Sequence, residues 1–234
     1  MTAGPLRRRR APRGAGEQLR EEILDAATTL LLETDDAKAV SIRSVSQRVG
    51  VTPPSIYLHF ADKEALLDAV CCRYFEKLDE QMQAVEGAGR DDVPVVEVLR
   101  AQGLVYVRFA LQNPELYRIA TMGHGRPGSD VDVTLNSSAF AHMRASIETL
   151  IADGSYPPGD PTTLALEMWA TVHGVAALLI SRPYLPWGDV EEFVDRVLRT
   201  LCLGLVASAG VRPTDTPEEM VTWLKEVADE RRGG

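Results

Sequence analysis

The sequence predicts an all-α protein. Apolar residues recur every three to four positions in one segment after another, and no stretch has the two-residue alternation that successive strands would require. Runs rich in glycine and proline separate these segments, and 234 residues are enough for two modest domains. We therefore expect a small helical head followed by a longer helical bundle.

The first helix follows an arginine-rich segment. Residues 1–16 carry almost no large apolar side chain, which predicts a disordered basic arm. From Glu17 onward the apolar residues share one helical face, until Thr34-Asp35-Asp36 ends the pattern. This pattern predicts the first helix of the head.

A second, short helix is expected directly before a glycine. Ile42, Val45 and Val49 form its apolar face, and Ser41 occupies the N-cap position, where its hydroxyl accepts a hydrogen bond from the first turn. Gly50 is placed to adopt the left-handed conformation that ends a helix. These residues would form the first half of a helix-turn-helix unit.

The third helix carries two prolines in its first turn, where their missing N–H groups cost nothing. It is expected to run from Thr52 to Phe60, with Thr52 as its cap and Pro53 and Pro54 next. Ile56 and Phe60 lie one turn apart, so both are predicted to pack against the first two helices. The opposite face is left for solvent or a partner.

A long connecting helix and five more helices complete the prediction. Asp62 is expected to cap a helix that continues to about Val85, and residues 87–92 are the expected hinge between two domains. Helical periodicity returns in the remaining segments, near 94–112, 114–121, 133–152, 160–181 and 189–209.

The composition argues against an enzyme, a metal site and a secreted protein. Cys71, Cys72 and Cys202 lack the spacing of a disulfide framework or a zinc site, and the histidines form no catalytic or metal-binding motif. The arginines at 7–10 are not followed by the apolar run of a signal peptide. No apolar run approaches the length of a membrane span, about 18 residues. We expect a cytoplasmic protein without a cofactor.

The net charge of −9 is unevenly distributed. Residues 1–75 carry 11 basic and 10 acidic side chains, whereas residues 76–234 carry 14 basic and 24 acidic ones. Within 37–63 there are four basic residues and one acidic residue. A locally basic head on an acidic body is compatible with DNA binding, because only the surface that meets the phosphates needs positive charge.

The outward face of the third helix and the start of the second have the side chains of a surface that reads bases. Arg43 is the long donor placed to reach a guanine, and Ser55 can hydrogen-bond a base edge or a phosphate. Pro54 and Leu58 offer the apolar contact that a thymine methyl accepts.

Other residues of this face suit the phosphate backbone. Tyr57 and His59 carry donors on rigid rings, and Lys63 adds charge at the positive end of the next helix. The pattern alone leaves an alternative open, because similar helix pairs occur in bundles that bind no nucleic acid. Tyr57 would then be a half-buried ring and His59 a surface histidine. The residues predicted to contact DNA are Arg43, Thr52, Pro53, Pro54, Ser55, Tyr57, Leu58, His59 and Lys63.

Residues 42–67, IRSVSQRVGVTPPSIYLHFADKEALL, resemble the N-terminal DNA-binding domain of the tetracycline-repressor (TetR) family. The likeness includes a Tyr-x-His-Phe signature at 57–60 and Lys-Glu-x-Leu at 63–66. The segment ILDAATTLLLE at 23–33 is similar to the family's first helix, and the whole resemblance covers about residues 17–75.

The resemblance implies an all-α homodimer in which the third helix of each subunit enters successive major grooves of a palindrome. There are two departures from the family pattern. Thr34-Asp35-Asp36 replaces the glycine usual after the first helix, and the two prolines leave the third helix few hydrogen-bonding side chains. Specificity then depends more on Arg43, Ser55 and DNA shape. The family places base or backbone contacts at the positions of Arg43, Pro53, Pro54, Ser55, Tyr57, His59 and Lys63.

A second resemblance lies in the C-terminal half. FALQNPELYRIA at 109–120 and Trp169-Ala-Thr-Val-His173-Gly174 resemble the WHG-type C-terminal domain of part of the TetR family. An effector pocket is one interpretation, and a core or dimer-interface role for the same residues is the other. Small residues such as Gly174 and Gly204 favour close packing of the last two long helices, as a four-helix dimer interface requires. The residues predicted to line the pocket are Tyr106, Phe109, Tyr117, Met122, Phe140, Met143, Trp169 and His173.

The sequence therefore predicts a repressor that binds a palindromic operator in double-stranded DNA as a homodimer and is released by a small-molecule effector. A ligand-independent activator or architectural dimer is the alternative, and a helical enzyme or interaction bundle is a more distant one. The expected regions are the arm at 1–16, a DNA-binding domain at 17–77, a regulatory and dimerisation domain at 78–210, and a tail at 211–234 with a short helix through Met220, Trp223, Leu224 and Val227.

Overall fold

The computed structural model describes residues 15–34, 36–88, 93–122, 139–211 and 214–233. These residues form helices joined by turns, and no strand occurs among them. The all-α prediction is confirmed.

Most helix ends fall where the sequence predicts them. The helices expected near 94–112, 114–121, 160–181 and 189–209 begin and end within one residue of those observed. The helices of the described residues are α1 (Ala15–Thr34), α2 (Ile42–Val49), α3 (Pro53–Tyr57), α4 (Lys63–Ala88), α5 (Val95–Gln112), α6 (Pro114–Met122), α7 (Ala139–Ala152), α8 (Pro161–Ser181), α9 (Val190–Ser208) and α10 (Pro217–Gly233).

Some predictions fall partly outside the described residues. The predicted arm lies outside them up to residue 14, and α1 begins at Ala15. The helix predicted at 133–152 is described from Ala139 onward as α7. Helix α4 continues to Ala88, so the first two residues of the hinge predicted at 87–92 are helical. The rest of that predicted hinge lies outside the described residues.

Local hydrogen bonds explain where the helices of the head begin. The Ser41 hydroxyl accepts the N–H of Ser44 at 3.0 Å, and the Ser44 hydroxyl accepts the N–H of Ser41 at 2.9 Å, so the two form a capping box for α2. The Asp62 carboxylate accepts the N–H of Ala65 at 2.7 Å ahead of α4. Both predicted caps are confirmed.

The turn after α2 depends on a left-handed glycine. Gly50 has φ 76° and ψ 33°, and its N–H donates to the Ser46 carbonyl at 3.0 Å. This geometry closes α2 and directs the chain into α3, as predicted.

Gly50→Ala is expected to lower the free energy of unfolding by about 1–2 kcal/mol, because a Cβ makes left-handed backbone costly. An added Cβ meets no atom within 4 Å, so this loss comes from the backbone alone. Gly159→Ala is the matched control, since its Cβ also meets nothing and its φ is not positive. Urea unfolding measures both variants, and equal effects would contradict the explanation.

Contacts divide the chain into two compact units. The first contains residues 1–80 and 109–138, and the second contains residues 81–108 and 139–234. Helix α6, which falls within the predicted regulatory domain, thus belongs to the first unit, where it contacts α1.

Each unit has its own core. In the first unit, Ile23 and Leu31 of α1, Val45 of α2 and Ile56 of α3 are fully buried. In the second unit, helices α5, α7, α8 and α9 contribute to one apolar cluster. Its buried members are Leu99, Ile147, Leu150, Tyr156, Ala165, Met168 and Cys202.

The last helix is longer than the short one predicted and continues to Gly233. Thr216 and Glu219 begin it with a reciprocal pair: the Thr216 N–H donates to the Glu219 carboxylate at 2.7 Å, and the Glu219 N–H donates to the Thr216 hydroxyl at 3.3 Å. Trp223 packs so closely on Gly210 that an added Cβ would lie 2.4 Å from its ring. The helix is therefore fixed at both its start and its inner face.

Candidate nucleic-acid interface

The inner face of α3 holds it in the head. Ile56 is fully buried and Phe60 is 4% exposed, so the predicted inward face is confirmed. The Arg20 guanidinium lies over the Phe60 ring, 5.3 Å from its centroid. The regular helix ends earlier than predicted, at Tyr57, because the N–H groups of His59 and Phe60 both turn back to the Ile56 carbonyl.

Thr52 precedes α3 but its side chain does not cap the helix. Its hydroxyl hydrogen-bonds the Ser55 hydroxyl at 3.1 Å instead of a backbone N–H. Pro53 and Pro54 have no N–H, and the N–H of Ser55 donates to the Thr52 carbonyl at 2.9 Å. Thr52 thus occupies the predicted N-cap position without a capping hydrogen bond, because Pro54 has no N–H and the N–H of Ser55 is already bonded.

The outer face of α3 and the following turn are open to solvent. Tyr57 is 54% exposed and Leu58 is 83% exposed. Arg43 is exposed near the start of α2, and its guanidinium makes no ion pair or hydrogen bond with any described residue. The remaining predicted contact residues on this face are exposed or partly exposed, namely Thr52, Pro53, Pro54, Ser55 and His59.

The positive charge of this head is partly neutralised by its own structure. Arg48 donates two hydrogen bonds to the Glu33 carboxylate, at 2.6 and 2.7 Å. This hydrogen bonding lowers the pKa of Glu33 and raises the pKa of Arg48. Among the basic residues of this segment, Lys38, Arg43 and Lys63 form no ion pair with the described residues, so they supply the uncompensated charge.

Lys63, which is predicted to contact a phosphate, also makes a hydrogen bond within the protein. Its ammonium donates to the Ala37 carbonyl at 2.8 Å, which ties the start of α4 to the turn before α2. An ammonium has three donors, so two remain for a phosphate oxygen. Lys63 therefore fixes the loop and still presents charge at the positive end of α4.

Five of the residues predicted to line an effector pocket lie in the second unit. The rings of Trp169 and His173 lie one turn apart on α8, with centroids 5.1 Å apart. Burial lowers the pKa of His173 from its ordinary value, because the charged imidazolium loses solvation there. Phe140 and Met143 pack against the apolar cluster of this unit, and Tyr106 is buried on α5.

The other predicted pocket residues belong to the first unit. Phe109 and Tyr117 are buried there, and the Phe109 ring lies 4.6 Å from the Tyr74 ring. Met122 ends α6, and its side chain lies outside the described part of the structure. Because the eight residues are divided between two units, a single pocket lined by all of them remains a prediction.

Comparisons with known proteins now identify the fold family. A family model described as bacterial regulatory proteins, tetR family, matches residues 23–70. A second model, described as tetracyclin repressor-like, C-terminal domain, matches residues 99–201. The chain belongs to the TetR family. The predicted membership is thus confirmed.

Two relatives align with most of this TetR-family chain. The uncharacterized HTH-type transcriptional regulator YobS of Bacillus subtilis is 29% identical over 185 residues, which are 79% of this chain and 91% of YobS. The nucleoid occlusion factor SlmA of Yersinia pestis is 31% identical over 183 residues, which are 76% of this chain and 90% of SlmA.

Solved structures agree with the TetR fold. A protein of unknown function from Rhodococcus sp. RHA1 has a TM-score of 0.69 at 26% identity, over 87% of this chain and 100% of that one. A TetR-family transcriptional regulator from Pectobacterium atrosepticum has a TM-score of 0.63 at 24% identity, with the same coverage. The second likeness supports the fold alone.

As a TetR-family member, the chain is a DNA-binding transcriptional regulator. The family is regulatory rather than enzymatic. The predicted helix-turn-helix and DNA binding are confirmed at this level, while the individual DNA and effector contacts remain predictions.

Proposed function

We propose that this TetR-family regulator is a cytoplasmic repressor. It binds a palindromic operator as a homodimer and leaves it when a small molecule binds. The observation that carries the proposal is an apolar face on α8 and α9, the helices predicted to form the dimer interface, that no part of the described chain covers.

Exposed leucines on this face support the dimer. Leu166 and Leu178 of α8 are 48% and 52% exposed, and Leu203 of α9 is 53% exposed. By length and composition α8 could cross a membrane, with a mean hydropathy of 1.5, yet only 39% of that stretch is buried within the chain. The expectation that no apolar stretch is long enough to span a membrane is therefore wrong for α8, whose apolar residues are interrupted by Glu167 and His173. A second copy would cover the exposed part.

Glycines on the same helices support close approach of two copies. A Cβ added at Gly174 or Gly204 meets no atom within 4 Å in the chain, so packing within one protomer does not require glycine there. A glycine inside a helix costs roughly 0.5–1 kcal/mol relative to alanine. Close contact with the partner's helices would offset that cost.

The symmetry of the dimer determines the symmetry of the operator that it can bind. Two copies related by a two-fold axis present two α3 helices, and these fit a palindrome whose half-sites are about 34–36 Å apart. Tyr57, His59 and Lys63 would hold the phosphates, while Arg43 and Ser55 would contact base edges.

Release requires the effector to favour a conformation in which this spacing is wrong. Helices α4 and α5 each contribute residues to both units, so a change in one unit could reach the other through either helix. A coupling free energy of about 1–3 kcal/mol would lower the affinity roughly 5–150-fold.

A mobility-shift assay with the DNA upstream of the chain's own gene tests the proposal. We expect a preferred palindrome and an affinity that falls steeply between two salt concentrations, because each phosphate contact releases counterions. Binding as a monomer, or no binding at either salt concentration, would overturn the proposal.

Arg43→Ala and Tyr57→Ala should separate base reading from phosphate binding. Arg43→Ala should cost about 1–3 kcal/mol and relax the preference at one base pair. Tyr57→Ala should weaken binding to all sequences alike, since we assign its phenol to a phosphate and not to a base. Competition with an operator library measures both effects. If both variants lose only general affinity, the assignment of Arg43 is wrong.

A further inference from the structure

The first unit contains a cavity that the DNA-binding face does not use. It lies among α1, α4, α6 and the end of α5, and its volume is about 90 Å³. This volume has room for a few water molecules or for a short hydrocarbon chain. Every lining residue belongs to the first unit, which also carries α3.

One side of the cavity is apolar. Val70 and Tyr74 of α4, Phe109 of α5 and Leu116 of α6 are buried side chains that line it. Leu32 of α1 also lines it while remaining 52% exposed, which places apolar surface at the opening to solvent. Water in such a cavity has few polar partners, so a hydrocarbon group is the better occupant.

The other side carries two cations of the same helix. Arg73 and Lys77 lie four residues apart on α4 and therefore share a face. Lys77 is exposed and forms no ion pair or hydrogen bond with any described residue. Arg73 pairs with Asp25 at 2.5 Å and lies 3.8 Å from the Glu21 carboxylate. Its Nη1 has no hydrogen-bond partner within the described structure.

Two neutral polar groups complete the lining. The Thr28 hydroxyl makes no hydrogen bond with a described residue. Asn113 donates its side-chain N–H to the Phe109 carbonyl at 3.0 Å and keeps its side-chain oxygen as an acceptor. The cavity therefore combines apolar walls, the ammonium of Lys77, the unbonded Nη1 of Arg73 and a hydroxyl.

We propose that this cavity binds a short-chain aliphatic monocarboxylate, with the hydrocarbon between α4 and α6 and the carboxylate at Lys77 and Arg73. The ammonium of Lys77, which has no ion-pair partner among the described residues, disfavours an amine of the same shape. The apolar walls disfavour inorganic phosphate, which has no hydrocarbon to place there.

The proposal names the effector class for the proposed repressor and so rests on that function. The carboxylate competes with Asp25 for Arg73, and this ion pair joins α1 to α4 in the unit that carries α3. Occupancy therefore loosens the head and lowers operator affinity. By linkage, operator DNA must weaken carboxylate binding by the same factor.

Calorimetric titration of the full-length chain with pentanoate tests the site, with pentylamine and pentanol as probes of equal length. Pentanoate should bind more tightly than either. Lys77→Met keeps the hydrocarbon stem and removes the charge, and it should weaken pentanoate binding roughly tenfold, as loss of one charge-assisted hydrogen bond predicts. Lys225→Met, which removes the same charge from the exposed side of α10, should leave the affinity unchanged.

Three outcomes overturn the inference: no pentanoate binding, equal affinity for pentanol, or an unchanged affinity in Lys77→Met. Operator binding without pentanoate is measured on the same preparation. Normal operator binding combined with no pentanoate binding rejects this site alone. Pentanoate binding combined with no operator binding rejects the proposed function and leaves the site in place.

Discussion

Leu178→Asp combined with Leu203→Asp is expected to convert the regulator into a monomer that no longer binds its operator. Both leucines are about half exposed in the single chain, so neither carboxylate disturbs the fold of the protomer. In the proposed dimer both positions are buried, and an unpaired carboxylate in an apolar interface costs several kcal/mol. The free-energy cost of burying four such carboxylates per dimer exceeds the favourable free energy of association that a typical helical interface supplies.

The loss of DNA binding follows from the loss of the dimer. One α3 helix meets one half-site, whereas a dimer binds both half-sites and the second contact is intramolecular. We therefore expect the variant to lose the preferred palindrome and to keep only weak, salt-sensitive binding.

Leu224→Asp provides the control, because this leucine of α10 is 47% exposed and lies outside the proposed face. Light scattering after size exclusion gives the oligomeric state, circular dichroism gives the helical content, and a mobility shift gives the affinity. A dimeric double variant, or a monomeric Leu224→Asp, would show that the wrong face has been assigned.

The features that the sequence predicted well are those that depend on neighbouring residues. Helix α8 begins where Asp160 accepts hydrogen bonds from the first-turn N–H groups, and α9 begins where Asp189 accepts the N–H of Glu192 at 2.8 Å. Gly50 has the backbone conformation that its position after an apolar pattern indicates. Such signals occupy a few consecutive residues, so they can be recognised without knowledge of the fold.

Features that the sequence did not predict depend on residues far apart in the chain. Arg48 looks like a free cation in a basic segment, but its partner Glu33 comes 15 positions earlier. Lys63 bonds a carbonyl 26 positions away, and Arg73 pairs with a carboxylate 48 positions away. No local pattern indicates these contacts, because they arise only when the helices pack.

The length of α10 was underestimated although the local sequence indicates it. The Thr216 and Glu219 pair has the spacing of a capping box, which indicates a well-started helix rather than a short one. The cavity between α1 and α6 is different, because no periodicity predicts that α6 packs with the head. The predicted domains were continuous stretches of sequence, whereas each observed unit combines two stretches that are separate in the sequence.

Ile56→Ala is expected to destabilise the head by about 2–5 kcal/mol, as for other fully buried aliphatic side chains. Ile56 is the buried residue of α3, and the remainder of this short helix offers little stability of its own. The typical stability of a domain is only about 5–15 kcal/mol, so the head should unfold well before the second unit. Urea unfolding followed by circular dichroism should then show two transitions in place of one.

Leu58→Ala, two residues further along the chain, should instead preserve stability and weaken DNA binding. Leu58 is 83% exposed, so its truncation should leave the free energy of unfolding within about 0.5 kcal/mol of the wild type. It should weaken operator binding, because the side chain is predicted to meet a thymine methyl. Equal destabilisation by both variants would mean that α3 presents the opposite face to DNA. If Leu58→Ala changes neither stability nor affinity, the apolar contact assigned to it does not exist, and base reading would rest on Arg43 and Ser55 alone.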